Sequence, residues 1–132
     1  MLSALSQWLS RRSDAERLTI QLTLNSAMLF AVMVLHAAPW LALLVLSVLL
    51  CSTILIQGAD KAVLIIVYGV FGWIGEVWIV GFGRVWTFAN PTTTGLDGGL
   101  FGVPFYTVVT WAMVGALMLV LQPVLAPRRS DQ

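Results

Sequence analysis

The sequence is short of charge. Only 10% of its 132 residues are Asp, Glu, Lys or Arg, against roughly 25% in soluble domains. Its net charge of +1 creates no field for nucleic acid, and the basic residues are too scattered to track phosphates. Nucleic acid is therefore not an expected partner. Histidine and cysteine occur once each, as His36 and Cys51. One cysteine excludes an intramolecular disulfide and a multi-cysteine metal centre, and with one histidine a His/Cys zinc or copper site within one chain is not expected. Cys51 lies in an apolar run and reads as a small hydrophobe. The Gly-x-x-Gly-x-x-Gly at Gly69, Gly72 and Gly75 falls inside an apolar run and not at a strand-to-helix turn, so it is no phosphate loop. The residues name no cofactor.

What fills the chain instead is apolar sequence, 59% of it hydrophobic. A soluble core cannot absorb that excess, whereas lipid can. The length suits one domain, and four apolar runs approach the ~20 residues that cross a bilayer. Their expected bounds are 17–38, 40–56, 62–83 and 104–122. Residues 2–12 space Leu2, Leu5, Trp8 and Leu9 at steps of three and four among Ser3, Ser6, Gln7, Arg11 and Arg12, an amphipathic helix expected to lie in the interface. Ser13 and Glu16 follow the capping-box pattern. Pro39 suits the first turn of a new helix, Gln57-Gly58-Ala59-Asp60-Lys61 reads as a polar turn, and Asn90-Pro91 and Gly98-Gly99 punctuate a loop over 84–102. Pro104 is expected to open the fourth span. The N-terminal basic-then-apolar segment is not read as a signal peptide, because further spans follow without a small-x-small cleavage site. The expected fold is all-α: a single domain over 1–132, built as an integral-membrane four-helix bundle with one short interfacial helix.

Arg11, Arg12, Arg17, Lys61, Arg128 and Arg129 collect on one side of such a bundle and only Arg84 on the other. Basic residues favour the cytoplasm. The expectation is a multi-pass protein of the cell inner membrane, both termini cytoplasmic and the 84–102 loop outside.

The third run carries one carboxylate, Glu76, well inside apolar sequence. Ionisable groups at such depth cost several kcal/mol and mark function or a specific partner. Glu76 lies seven residues before Gly83, about 10 Å beneath the outer boundary. Gly69, Gly72, Glu76, Ile79 and Gly83 form a stripe of small residues suited to close helix packing, with Phe71, Trp78 and Phe82 on the opposite, lipid-suited face. Counting depth along the other spans brings Thr110, Trp111 and Ser47 to the level of Glu76, and Trp73 with Trp111 can wall a pocket. Asn25 falls nearer the midplane. His36, at a span end, reads as interfacial. Arg84 begins the outer loop and reaches Glu76 only if the helix end unwinds; Trp86 suits the outer aromatic belt.

From Glu76 the chain reads Glu-Val-Trp-Ile-Val-Gly-Phe-Gly-Arg-Val-Trp-Thr-Phe-Ala-Asn-Pro, and later Gly-Leu-Phe-Gly-Val-Pro-Phe-Tyr-Thr-Val-Val-Thr-Trp. Over residues 76–111 this resembles several small bacterial integral membrane families and is loosely similar to carotenoid-biosynthesis hydratase-type membrane proteins. The resemblance implies a role for Glu76, Gly83, Trp86, Phe88, Gly102, Pro104 and Trp111. A first functional reading is a binding or catalytic site for an apolar, isoprenoid-, pigment- or lipid-like molecule, with Glu76 as acid or hydrogen-bond partner and Trp73 and Trp111 as walls. Two other readings stay open. One is a non-catalytic subunit or assembly factor of a larger membrane complex, whose partners are other membrane subunits or a second copy. The other is a proton-coupled transporter acting as an oligomer. Whether there is catalysis is left undecided.

Overall fold

The computed structural model describes residues 12–83, 88 and 98–125. It is mostly helical, and four helices are each long and apolar enough to cross a bilayer. The expected interfacial helix and most of the 84–102 loop lie outside the described residues.

Helix α1 spans Asp14–Leu35. Its start is set by the capping box: the Glu16 amide donates to Ser13 Oγ at 3.3 Å, and the Ser13 amide donates to Glu16 Oε2 at 2.9 Å. Arg12 adds an ion pair to Glu16 at 2.8 Å. These contacts begin the helix three residues earlier than the expected span. At its far end His36 Nδ1 meets the Met33 carbonyl at 2.9 Å, so His36 serves its own helix terminus. Helix α2 spans Pro39–Gln57, with proline in the first turn as expected. It stops at Gly58, whose φ of 106° favours glycine. A short 3₁₀ turn, Ala59–Lys61, leads into α3, Ala62–Glu76, which continues as a π-helical turn over Val77–Phe82.

Two short strands replace the expected helix start at Pro104. Strand β1, Gly99–Leu100, pairs antiparallel with β2, Val103–Pro104. Phe101 and Gly102, between them, have φ of 54° and 82°. Positive φ at both central residues is the two-residue hairpin turn that follows strand twist, and Gly102 supplies one of them without strain. Helix α4 then spans Tyr106–Leu125 and includes Pro123 in its last turn, where the expected span stopped.

Helix α4 is the hub. It packs against α1, α2 and α3, and α3 joins the bundle chiefly through α4. The residues responsible are small. A Cβ added at Gly69 would stand 2.5 Å from the Val108 carbonyl oxygen and 2.9 Å from Ala112 Cβ; one at Gly115 would stand 2.5 Å from Tyr68 Cβ. Glycine here lets two backbones approach, the usual basis of helix association in lipid. Between α1, α2 and α4 the core is Met28, Ala31, Ala42, Leu46, Tyr106, Val109 and Met113.

The seam of α3 departs from the expected stripe beyond Glu76. Gly69 is buried and Gly72 meets α4 as expected, but Ile79 and Gly83 are exposed and Val77 and Val80 are buried in their place. Val77 and Val80 continue the alternative stripe through Gly69 and Trp73 at steps of four and three, and the π turn begins at Val77. Phe71, Trp78 and Phe82 point outward as expected.

Candidate functional site

Glu76 is the last residue of the regular part of α3, and the π turn begins at the next residue. Such turns recur at functional sites because they displace side chains from the ordinary helical ladder. Here the i→i+5 bond is visible as the Gly83 amide donating to the Trp78 carbonyl at 2.9 Å.

The Glu76 side chain is half-buried at the α3–α4 boundary and not in the bundle centre. Trp111 Nε1, on α4, donates to Glu76 Oε1 at 3.3 Å. That length lies just beyond the usual range for N–H···O bonds, so the bond is weak. Gly72, one turn before Glu76, makes the contact possible. A Cβ at Gly72 would overlap the Trp111 indole and stand 2.5 Å from its Cβ and Cδ2. With hydrogen there instead, the indole lies flat on α3 and its N–H reaches the next turn.

The second carboxyl oxygen, Glu76 Oε2, is buried and has no hydrogen-bond partner among the described residues; the same is true of Trp73 Nε1. An acceptor and a donor thus flank the Trp111 contact on the same helix, each shut off from the surface. Leaving either unsatisfied costs about 1–3 kcal/mol. Trp73 is held by packing, its ring 6.1 Å from that of Phe105, which also sits 6.1 Å from Trp40. On the other flank of Glu76 lies Gly75, where an added Cβ would meet nothing within 4 Å. At about 100° per residue, Gly75 falls between the packed seam and the outward aromatics Phe71 and Trp78. It floors an open notch beside the carboxyl group, with the 37%-exposed Trp111 on the α4 side.

Of the expected site residues, the structure brings Glu76 and Trp111 into contact and sets Trp73 beside them on α3. Thr110 turns away, donating to the carbonyls of Tyr106 and Thr107 on its own helix. Ser47 is half-buried on α2, and no hydrogen bond joins it to Glu76 among the described residues. Arg84 and Trp86 lie outside the described residues. Among the described residues no three His, Cys, Asp or Glu side chains gather as a metal ion would need.

Comparison with protein-family models, with curated proteins and with solved structures finds no match to this chain.

A second polar feature escapes the sequence reading. Gln57 Nε2 donates to Gln21 Oε1 at 2.9 Å, Gln21 Nε2 to Asn25 Oδ1 at 2.7 Å, and Asn25 Nδ2 to the Met113 carbonyl at 3.3 Å. Gln57 Nε2 also donates to the Ala116 carbonyl at 2.8 Å. This amide ladder joins α1, α2 and α4. Its one sequence signal was the four-residue spacing of Gln21 and Asn25, which puts both on one helix face. The ladder and the Glu76 site are separate: Met113 and Trp111 project from α4 about 200° apart.

Proposed function

We propose that this protein is a membrane four-helix bundle of the inner membrane that binds a lipophilic molecule at Glu76. The molecule is isoprenoid-, pigment- or lipid-like: an apolar body lying in the bilayer and a polar group that engages the carboxyl. The observation that carries the reading is Glu76 Oε2, a buried acceptor without a partner among the described residues, beside an open notch over Gly75. An apolar surface alone would suit lipid generally, whereas an oriented acceptor selects molecules that carry a donor.

In this reading Trp111 is the movable part. Its indole covers the carboxyl through one weak bond of 3.3 Å and is itself 37% exposed. A ligand entering over Gly75 displaces the indole and donates to Glu76. Phe71 and Trp78 extend the apolar wall. With one carboxyl group and no second titratable side chain bonded to it among the described residues, binding and orientation are the chemistry the site supports best.

Gly75 provides the test. Gently purified wild-type protein should retain a lipophile in native mass spectrometry. Gly75→Leu fills the notch without touching packed protein, so it should leave stability unchanged and abolish that retained mass. Equal retention by both proteins would remove the notch from the site.

A further inference from the structure

The amide ladder ends in an unfilled valence. Both N–H groups of Gln57 are committed, one to Gln21 Oε1 and one to the Ala116 carbonyl. A backbone carbonyl only accepts, so the Gln57 amide cannot flip without setting oxygen against oxygen. Its Oε1 is therefore forced to the other side. There it is buried and has no partner among the described residues. The same direction runs through the whole ladder, since Asn25 is fixed in turn by the Met113 carbonyl.

Beside Gln57 lies a largely enclosed cavity of about 20 Å³, lined by Arg17, Gln21, Ile56, Gln57, Lys61 and Val120. That volume admits one water molecule and nothing larger, and a buried water needs two to four polar partners. The lining offers them: the Gln57 oxygen as acceptor, and N–H groups of Gln21 and Lys61 as donors. We infer that this cavity is a binding site for a single ordered water, which donates to Gln57 Oε1 and accepts from the N–H groups around it. The water completes the ladder where α1, α2, the 3₁₀ turn and α4 meet. It makes Gln57 part of a closed network and not a half-satisfied one, and half-satisfied buried networks are costly.

A structure determined in lipid, at a resolution that shows waters, tests this directly. Density for one water within 3.2 Å of Gln57 Oε1 is expected, following ordinary hydrogen-bond geometry. An empty cavity there overturns the proposal. Val120→Ile gives an independent reading, because its added methylene competes for the same space. If the water is bonded as inferred, displacing it strands the Gln57 oxygen and the thermal midpoint falls. If the cavity is dry, filling it raises the midpoint, as cavity-filling changes commonly do, and the proposal fails. In a Gln57→Leu background there is no acceptor to strand, so Val120→Ile should then cause no fall; an equal fall there also overturns it.

Discussion

Replacing Gly72 with alanine adds a single methyl group at the contact on which the Glu76 site rests. The new Cβ would stand 2.5 Å from Trp111 Cβ and Cδ2, where carbon atoms prefer about 3.5–4.0 Å. The indole must retreat by about 1 Å or the helices must part. Because Trp111 Nε1 already sits 3.3 Å from Glu76 Oε1, that retreat breaks the bond. Overpacking of this kind costs about 1–3 kcal/mol. Alanine returns about 0.5–1 kcal/mol of helix propensity, so a net loss of up to about 2.5 kcal/mol is expected. Thermal unfolding in mild detergent, followed by tryptophan emission, should show a midpoint several degrees lower. Val70→Leu, on a side chain 42% exposed, serves as control and should be neutral; Gly72→Leu should disrupt folding further. The decisive arm is a double-mutant cycle. With Trp111→Gly neither the indole nor its Cβ remains to be struck, so Gly72→Ala should become neutral or stabilising. A Gly72→Ala protein as stable as wild type, or an equal loss in both backgrounds, would refute the reasoning.

Two further outcomes are expected. Gln21→Leu removes the middle of the ladder, breaking the interhelical bond to Gln57 Nε2 and the bond within α1 to Asn25 Oδ1; at about 0.6–2 kcal/mol for the first in lipid and about 0.2–0.5 kcal/mol for the second, stability should fall by about 1–2 kcal/mol in reversible detergent unfolding. For topology, a cysteine at Thr93 in a Cys51→Ala background should react with an impermeant reagent in intact cells, and one at Ser130 should not; the reverse pattern would invert the orientation drawn from the basic residues.

The spans were legible because their signals are local. Ser13 with Glu16, Pro39 and Gly58 each fix a boundary through their own backbone chemistry, and the apolar runs between them leave little choice in lipid. Three features were not local. Gly102-Val103-Pro104 is compatible with a helix start or a hairpin edge, since proline suits both; pairing with Gly99 and Leu100 decides for the hairpin. The inward positions Val77 and Val80 sit at steps of four and three from Gly69 and Trp73, so the pattern alone does not choose between that stripe and the one through Ile79 and Gly83. Gln57 looked like part of a polar turn because it adjoins Gly58, yet its partners lie on α1 and α4. At the site itself, helical counting brought Trp111 to the level of Glu76, and Gly72 on the same stripe proved to be what admits the indole. Thr110, counted to the same depth, bonds to its own helix instead, because depth along a span says nothing of which way a side chain turns.

The central claim is that the Glu76 carboxyl holds a ligand and does not merely tie α3 to α4. Glu76→Gln tests it most directly, since it keeps the shape and an oxygen for Trp111 while replacing the carboxyl with an amide that cannot ionise. Native mass spectrometry of wild-type and Glu76→Gln proteins, matched for thermal midpoint, should show the retained lipophile in the first and its loss in the second. Full retention by an equally stable Glu76→Gln protein would contradict the account and leave Glu76 as a packing residue.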